Sequence, residues 1–431
     1  VMSELRFDGR VAIVTGSGQG LGRTHALALA SRGAKLVIND LGGSLDGTGS
    51  GSAAEDVAAE IRDAGGEAIS HRANVTKADE VADMVEQAKA KGGRVDILVN
   101  NAGILRDKSF AKMELDDFRA VVDVHLNGSA VCTKAVWDIM REQEYGRIAM
   151  TTSSSGMYGN FGQSNYGAAK FGVVGLMNTL HLEGAKYNIR VNALSPTAAT
   201  RMTEGLLPPA ALDLMTPESV STGLVYLVSE DGPSRTILCA GAGGYAVTKV
   251  HETDGIFLPP DEQTPENVAA RFTEIADEAD QKELKAGGEQ TIKFLTKAAA
   301  HAVTISLASA LADEGIVYLS LRPGRTRTDM TGPVADFTAE DSVRLLRSVL
   351  ARVEPDWAGK FIDRSGRVFL AGDAAHIHSP AGGRGMNLGI EDATVLANRI
   401  VGGGLETYSR DRRKVGLSVI GQTERMLAMV T

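Results

Sequence analysis

Between residues 7 and 249, short apolar runs alternate with longer amphipathic stretches, and few folds accept that rhythm. The runs are Val11–Thr15, Lys35–Asn39, Glu67–Arg72, Ile97–Val99, Arg147–Thr151, Arg190–Leu194 and Thr236–Cys239. Each has the length of a strand, and each intervening stretch can form a helix with one apolar face. Consecutive strands separated by helices pair in parallel, because a parallel connection needs a crossover of that length. The expectation is an α/β fold: a doubly wound parallel sheet of seven strands with helices on both faces.

The turn after the first run says what such a sheet would hold. TGSGQGLG (Thr15–Gly22) lies between strand Val11–Thr15 and helix Arg23–Ser31. Gly16, Gly20 and Gly22 let the backbone turn tightly and approach a pyrophosphate, while the helix start offers free N–H groups and a positive dipole end. The second strand ends at Asp40. A carboxylate there accepts both adenosine ribose hydroxyls and repels a 2′-phosphate, which favours NAD over NADP; its plainer reading is an ordinary strand-end residue. Asn100-Asn101-Ala102-Gly103 follows the fourth apolar run and can serve a turn or a cofactor wall.

A second motif lies far from the first. In SSSGMYGNFGQSNYGAAK (Ser153–Lys170), Ser153 precedes Tyr166 by thirteen positions and Lys170 follows it by four. Side chains four apart on a helix share a face. A free phenol has a pKa of about 10 and moves protons poorly at neutral pH, and a nearby ammonium favours the phenolate. Taken alone, Tyr and Lys at this spacing also describe a plain surface pair.

With both motifs in this order on the strand–helix pattern, residues 1–292 resemble the short-chain dehydrogenase/reductases, a family with a Rossmann fold that moves hydride to and from a nicotinamide cofactor. The resemblance implies the catalytic group Ser153, Tyr166 and Lys170. Tyr166 would exchange the proton of the substrate oxygen, Lys170 would lower its pKa and hold the nicotinamide ribose, and Ser153 would hydrogen-bond the substrate oxygen. It implies a cofactor site at Gly16, Ser17, Gln19, Gly20, Leu21, Gly22, Asp40, Asn74, Val75, Asn101, Ala102, Gly103, Tyr166, Lys170 and Thr200, with no metal. It also implies a homodimer or homotetramer.

One departure narrows the resemblance. The family usually places an asparagine on the helix before the catalytic strand, and here the aligned position is His125, with Asn127 two places on. The (3R)-hydroxyacyl-CoA dehydrogenase part of multifunctional enzyme type 2 shares this HLNG, together with NDLGG (Asn39–Gly43), the Gly/Ser-rich insertion after it (Gly42–Ala54) and SPTAATRMT. That subgroup implies a 3-hydroxyacyl thioester or another bulky secondary alcohol, steroids included. His125 is either a catalytic relay residue or a satisfied core histidine.

The chain then changes character. Asp254–Pro265 reads as a linker and Glu266–Gly287 as a charged surface helix. Lys297–Met330 echoes Lys170–Met202 (lysine, long helix, strand, proline, Thr and Met), with Lys293 where the tyrosine would stand. Residues 297–366 therefore resemble the carboxyl-terminal part of a second short-chain dehydrogenase, a packing unit that lacks its own Ser, Tyr and nucleotide turn. Residues 367–431, with GDAAH (Gly372–His376), resemble the second flavin motif of FAD-dependent aromatic monooxygenases, in which Asp373 would accept a ribityl hydroxyl. The nearest free glycine run for an FAD adenosine is Gly241–Gly244. The expected division is 1–258 dehydrogenase, 259–296 linker and surface helix, and 297–366 and 367–431 as a carboxyl-terminal extension of incomplete α/β pieces, a natural or assembled fusion. NAD is the expected cofactor, NADP or FAD less so.

A net charge of −9 argues against nucleic acid and anionic membrane as partners. Cys132 and Cys239 are too few for a disulfide framework and fit a reducing compartment, while VMSELRFDGR carries no apolar signal region. The expectation is a cytoplasmic enzyme with a small-molecule substrate.

Overall fold

The computed structural model describes residues 4–44, 46, 51–198 and 213–298, and four two-residue strands beyond them. They belong to two compact units, Val1–Val250 and His251–Thr431.

In the first unit the chain runs β1 (Val11–Thr15), α1 (Gly20–Ala30), β2 (Lys35–Asn39), α2 (Ala53–Asp63), β3 (Ala68–His71), α3 (Ala78–Gly92), β4 (Ile97–Asn100), α4 (Leu115–Val122) and α5 (Gly128–Gln143). It continues through β5 (Gly146–Thr151), α6 (Ser154–Tyr158), α7 (Ser164–Gly184), β6 (Ile189–Thr197), α8 (Pro217–Leu227), β7 (Ile237–Gly241) and β8 (Gly244–Thr248). One sheet carries all eight strands in the order β3-β2-β1-β4-β5-β6-β7-β8.

The apolar runs are buried on both faces, as parallel strands between two helical layers must be. Alternate residues of β1 go to opposite sides: Ala12 and Val14 pack with Ala26 and Leu29 of α1, Ile61 of α2 and Leu224 of α8. Val11 and Ile13 pack with Met84 of α3, Met140 of α5 and Val173 of α7. Ile13 is wholly buried; truncating such a side chain to alanine costs about 2–5 kcal/mol.

Seven strands stand where the sequence places them, and an eighth is added. The hairpin β7–β8 is antiparallel, with Gly241 opposite Gly244. Its two turn residues, Ala242 and Gly243, both have positive φ, 49° and 76°. That is the turn whose twist matches a hairpin. The glycine run that stood as a candidate nucleotide turn is thus a hairpin turn, with a strand after it and no helix.

In the second unit the expected charged helix Glu266–Gly287 is broken. Thr264 caps a short helix, Pro265–Ala270, by accepting the N–H of Asn267 at 3.2 Å. A four-residue helix, Phe272–Ile275, follows. Thr253 then donates its hydroxyl to the Ile275 carbonyl at 2.6 Å, and Lys282 exchanges two 2.9 Å main-chain hydrogen bonds with Glu252. These contacts hold the chain extended where helix was expected, and helix resumes over 287–298. The four short strands pair Thr326–Arg327 with Phe337–Thr338 and Phe361–Ile362 with Val368–Phe369. The remaining expectations for 297–366 and 367–431, Asp373 among them, lie outside the described residues, as does Thr200.

Candidate active site

The sheet order reverses between β1 and β4, and in such sheets ligands bind outside the carboxyl ends of the strands at that point. Both sequence motifs arrive there. Gly16 and Gly20 have φ of 63° and 53°, which a residue with a side chain rarely adopts. A Cβ on Gly22 would stand 2.1 Å from the Gly16 carbonyl oxygen, so only glycine closes this turn. Gln19 precedes α1 without a side-chain cap, which leaves the first-turn N–H groups to an anion. The cradle fits a pyrophosphate.

Asp40 reaches the same turn. Its carboxylate accepts the Gly18 N–H at 2.8 Å and the Gly42 N–H at 2.6 Å. Several other expected cofactor residues are engaged within the protein. The Ser17 hydroxyl donates to the Val14 carbonyl at 2.7 Å. The Asn101 amide donates to the carbonyls of Thr15 and Gly16 at 3.1 and 3.0 Å, and Asn74 Oδ1 accepts from Thr76. Leu21 packs against the core, Val75 is buried, and Gln19 is exposed. Thr15, not among the expected cofactor residues, stitches the two loops together: its hydroxyl oxygen accepts the N–H groups of Asn101 and Ala102 at 3.0 and 3.1 Å.

At the other end of the cleft, Ser153 follows β5 and caps α6, accepting the Ser155 N–H at 3.2 Å. Tyr166 and Lys170 stand one turn apart on α7, with Lys170 Nζ 5.4 Å from the Tyr166 ring centre. Lys170 is 3% exposed, and Nζ donates to the Thr151 carbonyl at 2.6 Å. Burial pushes its pKa down to about 7. Burial pushes the Tyr166 phenol up to about 12, against a hydrogen bond with Ser153 and with some help from the charge of Asp107.

His125 joins this group and Asn127 does not. The segment Asp123–Asn127 is a π turn, a helix irregularity common at functional sites. It turns His125 inward against Tyr166 in a T-shaped contact, with ring centres 5.1 Å apart and planes at 88°. Asn127 instead donates to Asp123 at 2.7 Å on the exposed side. With Nε2 protonated, His125 donates to the Ile104 carbonyl at 2.8 Å, and buried Nδ1 is an acceptor with no protein partner among the described residues. Burial first, and the charge of Lys170 second, hold this histidine neutral. No side chain fits at Gly103, where a Cβ would lie 2.3 Å from His125 Cε1.

Asn165 escaped the sequence reading although it immediately precedes Tyr166. It is wholly buried, its amide donates to the Arg106 carbonyl at 3.0 Å, and its Oδ1 accepts the Tyr166 N–H at 2.7 Å. Segment 106–108 grips the start of α7 twice more. The Lys108 N–H donates to the Gly162 carbonyl at 2.9 Å, and Gln163 donates to Asp107 at 2.6 Å.

The chain is similar to known proteins. Residues 10–209 match the short chain dehydrogenase family and residues 358–423 match an FAD binding domain. A short-chain type dehydrogenase/reductase of Mycobacterium tuberculosis is 50% identical over 272 residues, 62% of this chain and 94% of that one. The peroxisomal hydratase-dehydrogenase-epimerase of Saccharomyces cerevisiae is 48% identical over 280 residues, 64% of this chain but only 31% of that enzyme. The structure of full-length peroxisomal multifunctional enzyme type 2 from Drosophila melanogaster superposes with a TM-score of 0.58 and 40% identity, covering 68% of this chain and 49% of that one.

Proposed function

The chain belongs to the short-chain dehydrogenase/reductase family, and from that membership we propose that it is an NAD-dependent dehydrogenase of a bulky secondary alcohol, with 3-hydroxyacyl-CoA thioesters as the substrate class. The observation that carries the reading is the convergence of Ser153, Tyr166 and buried Lys170 beside a glycine turn whose neighbouring carboxylate is Asp40. The thioester class rests on the likeness to the multifunctional relatives, and this chain spans less than half of the two described above.

Bound NAD supplies the acceptor for the hydride that leaves the carbinol carbon. The chain's own residues do the rest. The α1 N-terminus holds the pyrophosphate, and Asp40 accepts the adenosine ribose hydroxyls, for which a 2′-phosphate is a poor substitute. Ser153 donates to the substrate oxygen and fixes the carbinol carbon in place. Tyr166 accepts the proton of the substrate hydroxyl. In the protein alone burial keeps Tyr166 protonated, so the fraction able to accept that proton grows with pH. Lys170, held at the Thr151 carbonyl, presents the positive charge that favours the phenolate. The working enzyme would be a homodimer or homotetramer. Among the described residues no helix is long and apolar enough to cross a membrane.

The test is a fluorescence titration with NADH and NADPH, followed by turnover of a medium-chain (3R)-hydroxyacyl-CoA. NADH binding tighter than NADPH binding, with the preference lost in Asp40→Ala, is the expected result. Absence of nicotinamide binding would sink the reading. The match of residues 358–423 to an FAD binding domain supports a second reading, flavin-dependent hydroxylation by the tail. A yellow protein with an oxidised-flavin spectrum would favour it over the first.

A further inference from the structure

We propose that Arg106 is a positioning residue that ties the adenosine end of the cofactor cleft to the catalytic helix; the role rests on the nucleotide reading above. In the sheet β1 lies between β2 and β4. Asp40 follows β2, the glycine turn follows β1, and Arg106 follows β4. Any link between the segments after β2 and β4 therefore passes across the carboxyl end of β1, over the glycine turn.

Arg106 makes that link. Its Nε and Nη2 both donate to the main-chain carbonyl of Asp46, at 3.2 and 3.1 Å. Its Nη1 donates to Asp117 Oδ1 at 3.1 Å, while Lys108 Nζ takes the other carboxylate oxygen at 3.1 Å. Asp117, on α4, fixes the plane of the guanidinium and leaves its remaining edge for Asp46. The main-chain carbonyl of Arg106 in turn accepts from Asn165, the residue before Tyr166.

The other end of the link is equally anchored. Asp40 holds the Gly42 N–H, and the Gly51 N–H returns to the Leu41 carbonyl at 3.2 Å. Gly42 and Gly51 meet so closely that a Cβ on Gly42 would lie 2.3 Å from the Gly51 nitrogen. Hydrogen bonds thus run in series from Asp46 through Arg106 to Asn165 and Tyr166, with Asp40 six residues before Asp46 in the chain. A dinucleotide has to engage both ends of that series at once, so its affinity depends on their separation. A mononucleotide engages only the first.

Arg106→Met tests this with two probes, NADH and AMP, and with kcat for a medium-chain (3R)-hydroxyacyl-CoA at saturating NAD. The expected result is a rise in the NADH Kd of about tenfold, the size of one charge-assisted hydrogen bond. AMP affinity and kcat should stay within about twofold of the parent. Equal weakening of NADH and AMP would mean local collapse of the ribose site and would overturn the role, as would no change in either. Arg119→Met, which removes an exposed cation paired with Asp116 three residues away, is the control and should leave all three readouts unchanged. Should the Met variant fold poorly, Arg106→Lys carries the test: it keeps the charge beside Asp117 but not the two-pronged grip on Asp46. NADH should then weaken severalfold with AMP unmoved, and an unchanged NADH Kd overturns the role. A parent protein that binds neither NADH nor NADPH removes the nucleotide reading and this role together. Nucleotide binding by the parent with an unaffected Arg106→Met removes the role alone.

Discussion

Two helices in this chain carry a cation four residues after a polar partner, and they use it in opposite ways. On α7, Tyr166 and Lys170 share a face, and Lys170 is buried with its Nζ on the Thr151 carbonyl. In the helix over 287–298, Lys293 and Lys297 share the same spacing, and each meets a carboxylate. Lys293 reaches Glu252 at 2.8 Å and Lys297 reaches Asp254 at 2.7 Å. The echo between the two stretches is therefore one of text and local helix, and the chemistry parts at the partner. A lysine matched by a carboxylate is a fastener. A lysine buried against a carbonyl meets no carboxylate among the described residues, and burial pushes its pKa down to about 7.

The largest effect should come from the phenol. Tyr166→Phe leaves the packing and removes the proton acceptor, so turnover of the (3R)-hydroxyacyl-CoA should fall by about a thousandfold or more while the NADH Kd moves little. Lys293→Met, at the matching place in the other helix, should leave turnover unchanged. If both variants lose activity, the second helix is part of the site and the contrast fails.

Lys170 sharpens the contrast through stability. Its folded-state value of about 7 lies below the ordinary 10.5, so between those limits the unfolded chain holds more protons than the native one. Stability from this group therefore rises with pH across that window, by up to about 1.4 kcal/mol per unit, and is lowest below pH 7. Lys170→Met should thus be more stabilising, or less destabilising, at pH 7 than at pH 10 in denaturant titrations, although it abolishes activity. A stability difference that is flat with pH would show that Lys170 is not desolvated as the structure has it.

A smaller effect separates the two readings of His125. As a relay residue, its unpartnered Nδ1 matters, and His125→Phe should lower kcat by about tenfold or more and alter its solvent isotope effect. As a core residue alone, it would change the melting temperature and leave the isotope effect where it was.

What the sequence made legible follows the same division between pattern and partner. Periodicity located seven strands because burial on both faces enforces apolar runs, and the spacing of Tyr166 and Lys170 survives because a helix has one pitch. The eighth strand, Gly244–Thr248, has four exposed residues in five, so no apolar pattern marks it, and its turn uses an alanine at positive φ. The break in Glu266–Gly287 comes from Thr253 and Glu252, contacts that no local rule contains. Ser17, Asn74 and Asn101 sit where family motifs place them, yet their side chains hold loops together. The roles of Thr15, Arg106 and Asn165 went unread because each acts through a main-chain atom brought near only by the sheet order.

The smallest effect tests the fastener itself. Lys297 is mostly buried and Asp254 is 44% exposed, so water screens the pair from one side. Such a pair contributes at most about 1 kcal/mol, and a double-mutant cycle of Lys297→Met with Asp254→Asn should return a coupling of that size or less. The hydrogen bond from Lys297 holds the Asp254 carboxyl below its ordinary 3.8. Its contribution is then present above that value and lost as pH falls through the lower, folded-state pKa. Amide exchange in residues 287–298 should quicken in the Met variant at neutral pH, and the difference between parent and variant should vanish in strong acid. A coupling several times larger, or one that persists in acid, would mean that Lys297 is desolvated like Lys170, and the two helices would then differ less than their partners imply.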